Sequence, residues 1–294
     1  MGTTGSDAGG ASPVRRAALV TGCSSGIGYA TAVRLARGGF TVFATVRKEA
    51  DAERLRRLGE PDLVPVCPLD LACPGHIAPA VDAVAREIRA RGLDGLYALV
   101  NNAGAGGVAP IELIGLDTLR AEVEARIVGP VALLQALLPL LRQGHGRVAW
   151  IATPALIPVP YVAGIHACDF AANCLARTAA LELRPWRIPQ IIVRCGAIRT
   201  PASGRSTREL GALLAACPPE RAALYRDTLA KEAAGFAAID AQRTDPAAVA
   251  EVVLGALTAA RPRRRYRVGR LSALAAMVEL LPQGAVDRLM ALRG

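Results

Sequence analysis

The chain is 294 residues long, 52% apolar and only 4% aromatic, with a formal net charge of +10. This length suits one large α/β domain with a full core and is short for two, while the apolar share excludes a disordered chain. The basic excess raises the question of nucleic acid or an anionic surface. It is nearly all arginine, with Lys48 and Lys231 the only lysines, and is dispersed except around the consecutive Arg263, Arg264 and Arg265. No nucleic-acid-binding motif accompanies it, so no nucleic-acid partner is expected.

Seven cysteines (Cys23, Cys67, Cys73, Cys168, Cys174, Cys195 and Cys217) form an odd set without C-x-x-C spacing. They read as reduced thiols, neither a disulfide framework nor a metal site. Residues 1–13 are rich in Gly, Ser and Thr and lack an apolar h-region, which predicts a disordered tail and not a signal peptide. No uninterrupted apolar run approaches membrane-spanning length. The expectation is a soluble, cytoplasmic protein without stable membrane insertion.

From Arg15 onward, short apolar runs alternate with longer helical segments, the pattern of βαβ units. Strands are predicted at Ala17–Thr21, Thr41–Val46, Leu63–Cys67, Leu96–Asn101, Arg147–Ala152, Gln190–Arg194 and Tyr266–Val268. Helices are predicted at Ile27–Arg37, His76–Arg91, Leu116–Leu141 and from about Gly164 to Leu183. A further helix begins at Asp245-Pro246, where Asp caps and Pro takes the first helical position. The sum is a single α/β domain over residues 14–294, a doubly wound parallel sheet of about seven strands.

The first strand runs into Thr21-Gly22-Cys23-Ser24-Ser25-Gly26-Ile27-Gly28, and a helix begins there. Glycines at a strand–turn–helix junction let backbone approach a pyrophosphate while the helix N-terminus faces the negative charge. This loop, Asp70 and Leu71 after the third strand, and Asn101-Asn102-Ala103-Gly104 after the fourth resemble the short-chain dehydrogenase/reductase family, a Rossmann-type fold. The likeness extends through Gly196 and Thr200. The loop, Ala44-Thr45-Val46-Arg47 and the Arg-Pro-Arg-Arg-Arg-Tyr segment look most like the hydroxysteroid and retinol dehydrogenase branch. The resemblance implies that Asp70 holds the adenine amino group and that Asn101 lies along the adenosine ribose. The second strand ends Val46-Arg47-Lys48 with no acid before Glu49. Arg47, helped by Ser24, suits a ribose 2′-phosphate and so NADP(H), although Arg47 also reads as an ordinary solvated residue.

The resemblance breaks at the reacting positions. In the family a serine, a tyrosine, a lysine and an asparagine perform the redox chemistry. Ile165-His166-Ala167-Cys168-Asp169-Phe170-Ala171 occupies the place of Tyr-x-Ala-Ser-Lys-Phe-Ala, which puts Ile165 for the tyrosine and Asp169 for the lysine. Ala152, followed by Thr153, stands at the serine position, and Arg126 at the asparagine position. Complementary changes at 126 and 169 predict a direct or water-bridged ion pair, which has a purely structural reading as well. His166 and Asp169 are also i, i+3 neighbours, so Asp169 orienting His166 as a general base is a second reading. Thr153 and Tyr161 are the remaining candidates; the plainer reading of Thr153 is a hydroxyl turned elsewhere by strand alternation, and that of Tyr161 is pocket lining. Cys168 reads as a small packed thiol.

Residues 201–242 read as an amphipathic helical lid with Leu210, Leu213, Leu214, Leu224 and Leu229 as an apolar cover, which predicts a bulky, largely apolar small-molecule substrate. The tail Leu271–Leu281 reads first as a packed segment, and otherwise as a closure of the pocket, a dimer contact or a surface that touches a membrane. Three functions follow. One is non-redox proton-transfer chemistry (cyclisation, dehydration or isomerisation) beside bound NADP(H), compatible with a tailoring role in secondary metabolism. The second is an atypical NADP(H)-dependent ketone or alcohol oxidoreductase whose proton comes from a substitute donor. The third is a non-catalytic partner of an active relative. A homodimer is expected, with no metal.

Overall fold

The computed structural model describes residues 15–104, 106–240 and 243–292, with the side chains of 202–209 and 233–240 outside that description. The tail expected at residues 1–13 and the last two residues of the expected lid also fall outside it. Seven parallel strands form one sheet: β1 (Arg16–Val20), β2 (Phe40–Thr45), β3 (Leu63–Val66), β4 (Leu96–Asn101), β5 (Arg147–Ala152), β6 (Gln190–Cys195) and β7 (Arg265–Val268). Their order is β3-β2-β1-β4-β5-β6-β7. The order reverses beside β1, and in open α/β sheets ligands bind at that switch point, outside the carboxyl ends of the strands.

Except at the edge strand β7, whose Arg265 and Arg267 are exposed, both faces of the sheet are buried, which is why its strands read as apolar runs and not as alternations. Along β1, Ala18 and Val20 join one core while Ala17 and Leu19 join the other. The first core is covered by α1 (Gly26–Arg37) and by α9 (Pro246–Thr258), through Ala32 and Leu35 on one helix and Val249, Val253 and Leu257 on the other. The second core lies under α3 (Ile77–Ala90), α5 (Gly129–Gln143) and α6 (Ala163–Glu182). On α3 the buried residues are Ile77, Ala80, Val84 and Ile88, spaced as one helical stripe. Burying each of the large aliphatic side chains contributes roughly 1.5–3 kcal/mol. The expected cap of α9 is present: the Asp245 carboxylate accepts from the Ala247 N–H at 2.9 Å, with Pro246 at the first turn.

The continuous helix predicted over Leu116–Leu141 is broken in register. It runs as α4 (Leu116–Val123), a π-helical turn at Glu124–Val128, and then α5. A π turn inserts one residue into the helical ladder and re-aims the side chains that follow it. Here it lies at Arg126, just ahead of Gly129, where a Cβ would stand 2.2 Å from the Leu71 carbonyl oxygen. By length and mean hydropathy (1.5) the span Leu116–Gln143 could cross a membrane. Its Leu133, Leu134, Leu137 and Leu141 are instead buried in the second core.

The remaining helices are α2 (Glu49–Arg56), the pair α7 (Pro201–Ala216) and α8 (Pro219–Asp240), and the C-terminal pair α10 (Ser272–Val278) and α11 (Gln283–Ala291). Helix α8, within the span expected as a lid, is tied to the turn Ile111–Leu113: the Tyr225 hydroxyl donates to Glu112 at 2.7 Å, and Arg221 lies 3.8 Å from the same carboxylate. Leu210 and Leu229 border the cleft beside these helices, whereas Leu224, expected in the cover, faces solvent. Val286 and Met290 of α11 pack on Ala155 and Ile157, so the C-terminal pair clasps the loop that follows β5.

Candidate functional site

A cleft of about 790 Å³ opens at the carboxyl ends of β1, β2, β4, β5 and β6 and beside α7 and α8. At one end stands the glycine loop. Gly22 (φ +72°) and Gly26 (φ +61°) adopt the left-handed conformation that favours glycine. A Cβ on Gly28 would lie 2.3 Å from the Gly22 carbonyl oxygen, so only glycine lets α1 start this close to the strand. The N-cap Ser25 makes no side-chain bond and the first turn of α1 holds no acid. That leaves backbone N–H groups and the positive end of the helix dipole for an anion.

Of the residues expected there, Gly22, Ser24, Ser25, Gly26, Ile27, Arg47, Asp70, Leu71, Ala103, Gly104, Gly196 and Thr200 border the cleft. Cys23, Gly28 and Asn101 do not. Cys23 is fully buried behind the loop, its thiol on the Val20 carbonyl at 3.1 Å, and burial pushes its pKa up. Asn101 is turned inward, 6% exposed, away from the cleft. Its neighbour Asn102, which the sequence reading passed over, takes the site-building part: its amide donates to the Thr21 carbonyl at 2.9 Å and clamps the loop. Successive side chains at a strand end point opposite ways, so a one-residue choice reverses the assignment. Arg47 is well exposed at the cleft rim, 3.8 Å from Asp70. The Arg54 guanidinium donates to the Ser24 carbonyl and braces the loop from α2.

The opposite end is built from side chains. Ala152, Thr153, Ile165, Asp169 and Arg126 all border the cleft. The expected contact between Arg126 and Asp169 is direct, Nη2 to one carboxylate oxygen. The other oxygen accepts the Thr153 N–H at 2.7 Å. Gly104 makes room for the guanidinium, since a Cβ there would stand 2.6 Å from Nη1. The Thr153 hydroxyl faces the Ala155 carbonyl at 3.3 Å. Burial pushes the Cys168 and Cys195 thiols up, the latter to about 12, so neither is a ready thiolate.

The His166–Asp169 dyad does not form. His166 Nδ1 sits 2.9 Å from the Ile157 carbonyl, to which only an N–H can donate, and the ring does not border the cleft. Both Asp169 oxygens are already engaged. Helical spacing brings two residues to one side of a helix but does not choose between a neighbour and a carbonyl across the fold. Burial lowers the His166 pKa, only partly offset by the Ile157 bond and by Asp169. Tyr161 is likewise outside the cleft. It has φ +65°, and its carbonyl accepts the Ala109 N–H at 2.7 Å, joining two loops through backbone.

Two buried charges escaped sequence reasoning. Glu122 accepts the Gly107 N–H at 2.8 Å, and a Cβ on Gly164 would lie 2.1 Å from its other oxygen. It thus ties the loop after β4 to the first turn of α6. Its i, i+4 spacing to Arg126 was the available signal. Arg194 is completely buried behind Thr153, donates to the Thr153 carbonyl at 3.3 Å and meets Glu279 at 3.5 Å. Burial lowers its pKa.

The family model for short chain dehydrogenases matches residues 16–211. The chain belongs to that family. This short-chain dehydrogenase is 33% identical over 285 residues to human 11-beta-hydroxysteroid dehydrogenase type 2, covering 94% of its own length and 69% of the relative's. It is 30% identical to YbbO, an uncharacterized oxidoreductase of Escherichia coli, over 94% of each chain. Among solved structures it resembles a short-chain dehydrogenase from Streptomyces avermitilis (26% identity, TM-score 0.69, 96% and 95% of the two chains). Its fold also matches a Burkholderia cenocepacia short-chain dehydrogenase in complex with NADP (23% identity, TM-score 0.70, 94% and 97%). Among the described residues, no cluster of three or more His, Cys, Asp or Glu side chains is arranged for a metal.

Proposed function

We propose that this protein binds NADP(H) and a bulky, largely apolar small molecule, and acts on that molecule without the tyrosine–lysine proton transfer of its family. The residues fit the dinucleotide: the α1 N-terminus and glycine loop suit the pyrophosphate, Arg47 and Ser24 a 2′-phosphate, and Asp70 the adenine amino group. When bound, the nicotinamide supplies a hydride donor or acceptor. The observation that carries the rest is at the other end. Ile165 and Ala152 offer the cleft neither proton nor hydroxyl, and both oxygens of Asp169 are held by Arg126 and the Thr153 N–H.

Arg126 is then a fixed cation at the cleft wall. Such a group, positioned before reaction and away from bulk water, stabilises an enolate or alkoxide as it develops. The chemistry this supports is non-redox: cyclisation, dehydration or isomerisation of a molecule that places a carbonyl oxygen on Arg126. A second reading, favoured by the hydroxysteroid dehydrogenase relative, is an NADP(H)-dependent ketone or alcohol oxidoreductase with a substitute proton donor. Exposed Val128 and Phe170, from the helices that carry Arg126 and Asp169, also support a homodimer.

The deciding experiment is calorimetry of NADPH and NADP⁺ binding, with absorbance at 340 nm followed against a panel of ketones and alcohols. Binding without turnover is expected. Turnover would establish the oxidoreductase reading. No binding would remove both and leave a partner protein on a dehydrogenase scaffold.

A further inference from the structure

Behind the Arg126–Asp169 pair, between β4, β5, α5 and α6, lies a second and smaller cavity of about 40 Å³. Asn101, Arg126, Trp150, Asp169 and Asn173 border it. The two asparagines are almost wholly buried, 6% and 4% exposed. Four polar atoms there have no protein partner: Asn101 Nδ2, Asn101 Oδ1, Asn173 Nδ2 and Arg126 Nε. Trp150 leaves them none, because its indole N–H donates to Gln190 at 2.9 Å. Three donors and one acceptor therefore belong to residues that border one small space.

Buried amides and guanidinium nitrogens are seldom left unpaired in folded proteins. Apolar cavities stay dry, but a polar one bounded by several partners takes ordered water, each molecule needing roughly 10–15 Å³ of accessible volume. We propose that this cavity is a built hydration site for about two water molecules. They accept from Arg126 Nε, Asn173 Nδ2 and Asn101 Nδ2 and donate to Asn101 Oδ1. The small cavity and the large cleft share Arg126 and Asp169 as a common wall. The ion pair thus has substrate space on one side and bound water on the other, and the guanidinium is held at Nη2 by the carboxylate and at Nε by water. This stands whether or not the cleft takes a dinucleotide.

The test is made on the full chain. In nuclear magnetic resonance, long-lived water gives cross-relaxation to the Arg126 Nε–H and to the side-chain amides of Asn101 and Asn173. A high-resolution crystal structure then places the oxygens. The expected result is cross-relaxation to all three groups and about two density peaks within hydrogen-bond reach of them. Asn173→Leu, which fills the cavity, is expected to abolish the signal at Arg126 Nε. A dry cavity in the unaltered protein, or a signal at Arg126 that survives Asn173→Leu, overturns the proposal. If that variant does not fold, the unaltered protein decides alone.

Discussion

The glycine loop between β1 and α1 presents backbone to the cleft, whereas the wall made by β5 and α6 presents side chains. At the loop, binding capacity rests on conformations only glycine permits and on a helix end, and the side chains that brace it, Asn102 and Arg54, bond to main-chain oxygen. At the far wall the charged groups are defined by partners distant in sequence: Arg126 by Asp169, Asp169 by Thr153, and Arg194 by Glu279. A site made of backbone keeps its chemistry under most side-chain changes. A site made of side chains changes its chemistry as soon as they change, and the fold persists if charges are exchanged as a matched pair.

The largest effect that would break this contrast is expected at the pair itself. Asp169→Ala leaves the half-buried Arg126 cation uncompensated, which costs up to about 3–5 kcal/mol of stability in urea unfolding. The double change Arg126→Leu with Asp169→Leu should recover most of that loss. A double variant no more stable than Asp169→Ala would mean that the pair is not a matched unit.

At the loop, Gly28→Ala forces a methyl against the Gly22 carbonyl. The expected cost is up to about 3 kcal/mol of stability, with NADPH affinity weakened well over ~10-fold by calorimetry. Unchanged binding would show that the backbone cradle is not where the anion sits. A narrower test is Arg47→Ala, expected to weaken NADPH by about 10-fold, roughly 1.4 kcal/mol, while leaving NADH as it was. Equal losses for both dinucleotides would take Arg47 off the 2′-phosphate.

The smallest effect is expected at His166. Its folded pKa lies below the ordinary histidine value of about 6.5, so the unfolded chain binds the proton more readily. The stability it contributes is present above that ordinary value and is lost as the pH falls through it toward the lower folded one. His166→Asn, which keeps an N–H for the Ile157 carbonyl but cannot titrate there, should flatten this part of the curve. An unaltered slope would place the acid sensitivity on another group.

Much of the fold was legible because its signals are local. Strand runs, the Asp245 cap and the α3 stripe each depend on residues within a turn or two of one another. The family motifs located Arg126 and Asp169, and charge complementarity predicted their contact. The π turn at Glu124–Val128 was not legible, since it answers to packing at Gly129 against Leu71. The exchange of Asn101 for Asn102 was lost for a similar reason: which side chain faces the cleft is set by the strand's register in the sheet.

By itself the sequence determined the parallel sheet, the glycine loop and the side-chain types at positions 126, 152, 165 and 169, because periodicity, backbone freedom and side-chain type are properties of the chain. Only the tertiary structure decided that His166 bonds to a carbonyl and not to Asp169. It likewise decided that Glu122 holds the loop after β4 beside Gly164 of α6, and that Asn101, Asn173 and Arg126 border one small cavity behind the cleft. Each of these is a choice among partners that lie far apart in sequence, and desolvation and close packing make that choice only once the sheet has brought them together.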